Sequence, residues 1–82
     1  MQALMWEVRA RDGRLEDLLA WVREHAVNAL DAAGCKDFAV YRSDQERVVI
    51  IAHFDEDPVE LAEPPEDLVA RPVHQWPFVR VL

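Results

Sequence analysis

Arg47-Val48-Val49-Ile50-Ile51-Ala52-His53-Phe54 is the longest nearly unbroken β-branched run in the chain. Successive side chains of a strand point to opposite faces, so a half-buried strand alternates apolar and polar residues. This stretch does not alternate. Val48, Ile50, Ala52 and Phe54 fall on one face; Val49 and Ile51, with His53 beside them, fall on the other. Both faces call for cover, and the rest of the chain must be searched for what supplies it.

The chain before this strand offers one long helix. From about Gly13 to Ala33, Leu15, Leu18, Leu19, Val22, Ala26, Ala29, Leu30 and Ala33 follow helical spacing, which predicts an amphipathic helix. Asp12 is the expected N-cap, with Glu16 and Asp17 favourable in the first turns. Gly34 is the expected left-handed residue at the far end. Ahead of the helix, Leu4, Trp6, Val8 and Ala10 alternate with Met5, Glu7 and Arg9, the pattern of a first strand with one buried face. Lys36 to Arg42 reads as the second strand, and Ser43-Asp44-Gln45-Glu46 as the polar turn of a hairpin into the third.

Beyond Phe54 the texture changes. Asp57, Pro58 and Glu60 have the spacing of a capped short helix, which Pro64-Pro65 cuts short. Glu66 to Ala70 has room for one more turn. Val73 to Leu82 is extended, and Pro77 suits an edge strand.

The order is strand, long helix, strand, strand, weak helical region, strand. It predicts one α+β domain over residues 1–82 built as a ferredoxin-like plait. Its antiparallel sheet of about four strands carries one long helix and a short irregular second helical region on one face, with strands one and three central. One sheet face is then bare, and an apolar patch of that size usually marks an interface. The expectation is a homodimer packed sheet to sheet through Val49 and Ile51 or, if the strand is turned the other way, through Val48 and Ile50.

Size points the same way. A domain of 82 residues buries only about 60–65% of its unfolded surface, so it usually needs a further source of stability. Cys35 is the only cysteine, which rules out an internal disulfide, and no Cys/His spacing suits zinc. Oligomerisation remains. The net charge of −7 and scattered arginines disfavour nucleic acid and anionic membranes as partners. Met1-Gln2-Ala3-Leu4 lacks the basic region of a signal peptide, and no run approaches the ~20 apolar residues of a membrane span. A soluble, reduced, cytoplasmic protein is expected, with no metal and no cofactor.

Several stretches together resemble a known family. Val8-Arg9-Ala10 ends the first strand, Asp12-Gly13-Arg14 precedes the helix, and Leu18-Leu19 lies within it. Ala32-Ala33-Gly34-Cys35 forms the turn, and Phe38-Ala39-Val40-Tyr41-Arg42-Ser43 the second strand. Val48-Val49-Ile50-Ile51 with its acidic loop completes the set. In order and spacing, residues 5–57 resemble the antibiotic-biosynthesis-monooxygenase (ABM) type of small domain in the dimeric α/β-barrel superfamily. The resemblance implies a ferredoxin-like protomer, a dimer, and a pocket between helices and sheet. Some such proteins oxidise polycyclic aromatic molecules with oxygen and no cofactor, others degrade haem, and many have no assigned activity. Ala52-His53-Phe54 stands where these proteins often carry Glu-x-Trp.

Two histidines are the catalytic candidates. His53 ends the central strand beside the acidic loop and could serve as a general base; a hydrogen-bonded interface histidine is the plainer alternative. His74, near Trp76 in a Pro-bounded segment, could line a pocket or lie on the surface. His25 reads as a surface residue of the helix. Trp76, Trp6 and Tyr41 are candidates to stack on a small aromatic ligand, with core packing the alternative for Trp6. Glu7 and Arg9 are expected to pair with Arg42, Arg80 or a second subunit. The functions left open are a monooxygenase-like enzyme and a non-catalytic dimeric domain that binds a ligand or supports assembly. An ACT-like regulatory module shares the same element order.

Overall fold

The third strand forms as its composition requires, from Arg47 to Phe54, and it lies inside a four-stranded sheet. In the computed structural model, which describes residues 1–82, strands β1 (Gln2–Arg9), β2 (Asp37–Arg42), β3 (Arg47–Phe54) and β4 (His74–Val79) are ordered β2-β3-β1-β4. Every neighbouring pair is antiparallel. This α+β arrangement, with one long helix α1 (residues 15–32) on one face, is compatible with a ferredoxin-like plait. The two central strands are β1 and β3, the two with the clearest apolar face.

Burial on the helix side is complete over the two central strands. Leu4, Trp6, Val8, Val48, Ile50 and Ala52 are each at most 3% exposed. Above them lie Leu18, Val22, Ala26 and Leu30, which recur every four residues. In a straight α-helix at 3.6 residues per turn, such a row drifts by about 40° per step and leaves the sheet. Here Leu15–Trp21 and Val27–Ala32 are α-helical, but Val22–Ala26 between them is a π-helical turn. A π turn rotates less per residue, so it cancels part of that drift and keeps Leu30 over the core. It also corrects the expectation drawn from a straight helix. Ala29 and Ala33 are exposed; His25 lies on the helix surface, as expected.

The helix starts at Leu15 after an Asp12-Gly13 turn, and Asp12 makes no side-chain cap. Gly34 ends it with φ of +76°, the left-handed conformation expected there.

The capped helix expected after Asp57 is absent; residues 57–65 form no regular element. Pro58 and Pro64-Pro65 leave too few residues between them for a helix to nucleate. Side chains supply the missing partners instead. Gln75 accepts from Leu61 N–H at 3.0 Å and donates to the Leu61 carbonyl at 2.9 Å. Leu61 is thereby fixed in the core, 3% exposed. Glu66–Leu68 makes the one later turn, of 3₁₀ type. Arg11 donates to the carbonyls of Glu66 (3.2 Å) and Val69 (3.4 Å), and Arg14 reaches Asp67 at 3.4 Å.

Strand β4 contains Pro77, and Val81 and Leu82 lie beyond its end, exposed. Arg80 N–H donates to the Met1 carbonyl. The residues of β4 that alternate with Arg80 therefore face β1, and the missing donor of Pro77 points away from the sheet.

Candidate functional site

The face of the sheet opposite α1 carries the odd-numbered residues of β1, β2 and β3 and the even-numbered residues of β4. Strand register arranges them in rows. Ala39, Ile51, Met5 and Trp76 form the central row. Tyr41, Val49, Glu7 and His74 lie on one side of it, and Asp37, His53, Ala3 and Phe78 on the other. Nothing in the protomer covers these rows. Tyr41 is 56% exposed, Trp76 45% and Phe78 50%.

Of the two interface pairs read from β3, Val48 and Ile50 lie in the core under the helix, and Val49 and Ile51 point to the open face.

His53 and Asp37 stand opposite each other across β3 and β2, and His53 Nδ1 lies 2.6 Å from Asp37 Oδ1. The carboxylate orients the ring and leaves Nε2 without a protein partner. An imidazole held this way has the arrangement of a general base. The backbone carbonyls of Asp37 (3.0 Å) and His53 (3.4 Å) also accept from Cys35 Sγ. Burial pushes the Cys35 thiol pKa above its ordinary value. The thiol is thus a neutral donor at neutral pH, not a ready thiolate.

The fold does not bring the two candidate catalytic histidines together. Strand β1 separates the strands of His53 and His74, and the two lie two rows apart. His74 meets the edge of Trp76, with ring centroids 5.6 Å apart and planes at 84°. Glu7, opposite His74, is engaged by Arg71 at 3.4 Å; Arg42 pairs with Glu16 instead. Trp6 is fully buried and stacks on Trp21 at 6.4 Å, which in turn packs on His25 at 5.4 Å. Its indole Nε1–H is buried without an acceptor.

Space between helix and sheet is filled by Trp6, Leu18, Val22 and Leu30, none more than 1% exposed. The three main surface clefts lie elsewhere. One of about 520 Å³ runs between α1 and β2, with Leu19, Val22, Val40 and Tyr41 in its wall. One of about 290 Å³ lies among Arg11, Pro64, Arg71 and Pro72, and one of about 300 Å³ beside Leu4, Val59 and Gln75. Of the candidate site residues only Tyr41 lines any of the three.

Sequence reading missed Asp37 as the partner of His53. A four-residue turn at Ser43–Glu46 would close on Arg42 and Arg47. The pairing observed is Arg42 with Val48, and Ser43 N–H donates to the Arg47 carbonyl, so the loop has three residues. Glu46 takes φ of 60°, the left-handed position of a three-residue hairpin loop. A one-residue slip moves every side chain of a strand to the other face. That slip hid the pair.

No group of three or more His, Cys, Asp or Glu side chains is placed to hold a metal ion, and no helix is long and apolar enough to cross a membrane. Comparison of the chain with protein-family models, with curated proteins and with solved structures finds no match.

Proposed function

We propose that this chain is a homodimeric assembly domain, a ferredoxin-like protomer of the dimeric α/β-barrel type, working in the reducing cytoplasm. Two copies meet sheet to sheet through the rows that contain Val49 and Ile51. The observation that carries this reading is the uncovered face itself. Tyr41, Trp76 and Phe78 stand half-exposed around Met5, Val49 and Ile51, and a contiguous apolar face of this kind marks an interaction surface. The filled space between helix and sheet favours assembly over catalysis within a protomer.

A second reading has one observation behind it. The His53–Asp37 pair offers an oriented base, which suits a cofactor-independent, monooxygenase-like reaction on a small aromatic molecule. In that reading a second subunit closes the open face over the substrate.

Light scattering after size exclusion tests the assembly. A species of twice the 9.5 kDa protomer is expected; a clean monomer at micromolar concentration would sink the proposal. Turnover of aromatic substrates by wild type, lost in His53→Ala, would favour the second reading.

A further inference from the structure

Arg9 and Arg47 are cross-strand partners at one end of the open face. Like charges directly opposite one another are unfavourable in a sheet. Neither guanidinium belongs to an ion pair, although Arg14, Arg42, Arg71 and Lys36 each have a carboxylate. Neither side chain donates a hydrogen bond within the protomer, and Arg47 Nε is buried with no acceptor. In a chain of net charge −7, two adjacent guanidiniums without acceptors point to a carboxylate from outside the protomer.

The other end of the same face is acidic. Asp37 lies on it, and Asp55, Glu56 and Asp57 follow directly after β3; His53 and Lys36 engage Oδ1 of Asp37 and of Asp55, which leaves each Oδ2 for a further donor. The face is therefore cationic where β3 begins and anionic where β3 ends. Two copies can stack face to face with aligned strands about either of two axes. An axis parallel to the strands sets Arg9 and Arg47 of one copy over the same residues of the other, and acid over acid. An axis perpendicular to the strands, lying between the sheets, reverses one copy and sets each basic end over an acidic end.

Resting on the homodimer reading, we infer that the second copy docks in the reversed orientation, with Arg9 and Arg47 of each protomer facing Asp37 and Asp55 of the other. The charges select the orientation, and the apolar rows between them supply the buried area. Opposite charges across an interface fix register and exclude wrong pairings in this way.

Sedimentation equilibrium on the full chain tests the inference. Arg9→Gln with Arg47→Gln removes no contact within the protomer, and its fold can be checked by circular dichroism. About tenfold weaker dimerisation is expected, together with loss of the salt dependence that wild type shows. Exchanging the charges (R9E, R47E, D37R and D55R in one chain) also removes the His53–Asp37 and Lys36–Asp55 contacts, so dimerisation should recover to above that of the Arg-to-Gln variant rather than fully. The third measurement places a spin label at Gln45→Cys, in a Cys35→Ala background. The reversed dimer holds its two labels roughly 25 Å or more apart, the length of an eight-residue strand; the same-end dimer brings them close. A wild-type dimer whose Arg-to-Gln variant binds as tightly or more tightly, or whose labels lie close, overturns the orientation and leaves the homodimer standing. A monomeric wild type overturns the homodimer reading itself.

Discussion

The two faces of this sheet are made by the same strands and, in β3, by nearly the same residues. Val48 and Ile50 lie on one side, Val49 and Ile51 on the other. The first pair is fully buried beneath α1; the second is half-buried on an open surface. The difference is one of supply. A single helix covers one face, and residues 58–65 form no second one; they lie outside any regular element and send only Leu61 and Pro64 inward. Identical chemistry on two faces thus produces a core on one side and an uncovered surface on the other, according to what the chain has left to place there.

Substitutions on the two faces should separate these roles. The largest loss of protomer stability is expected from Trp6→Ala on the covered face. Emptying a fully buried indole site costs about 3–5 kcal/mol, readable as an earlier urea midpoint. Unfolding no easier than wild type would mean that the helix–sheet core is packed differently. On the open face, Ile51→Asp should leave the protomer folded and cost on the order of 3 kcal/mol of association, because it sets an unpaired charge in an apolar contact. Size exclusion with circular dichroism separates the two effects; if Val49→Asp and Ile51→Asp are both fully dimeric and folded, the sheet-to-sheet arrangement is wrong.

Smaller effects probe the cover itself. His25→Leu places an apolar residue where a straight helix would point inward, so the π turn loses part of its advantage. A stability change within about 1 kcal/mol is expected, with stronger amide protection across residues 22–26. Unchanged exchange there would show that His25 does not influence the turn. Least of all is Cys35→Ala. The folded-state pKa of Cys35 is raised, so its contribution is fully present below the unfolded thiol value of 9.0 and is lost as pH rises above it. Wild type should therefore lose stability relative to the variant only above about pH 9, in paired thermal melts. A gap that does not change with pH would remove the titration argument.

Much of the fold was legible in the sequence because period and punctuation agree. Alternation marked β1, the run at Arg47–Phe54 marked β3, and Gly34 marked the helix end. What was not legible depends on contacts distant in sequence. The π turn keeps local helical spacing and changes only its phase, so Ala29 and Ala33 looked buried. The path of residues 58–65 is set by Gln75, some fourteen residues on. Among the candidate site residues, Val49, Ile51, Tyr41, His53, His74 and Trp76 share one face, as period two allows. Trp6 carried the same alternation to the opposite side. The carboxylate beside His53 stayed hidden because the loop before β3 is one residue shorter than its polar composition suggests.

Pro77 has a consequence for growth. A sheet with two free edges can add copies of itself at both and extend into a filament. This sheet has one edge, β2, with its backbone groups free, and another, β4, where the outward donor at Pro77 is missing. Strand addition at β2 alone pairs like edge with like edge and stops at two. Pro77 removes one of the outward donors that an added strand would need at β4, which tilts edge pairing toward a closed pair and away from a growing filament. Replacing Pro77 with a β-branched residue would return the second edge, and with it a route to fibres.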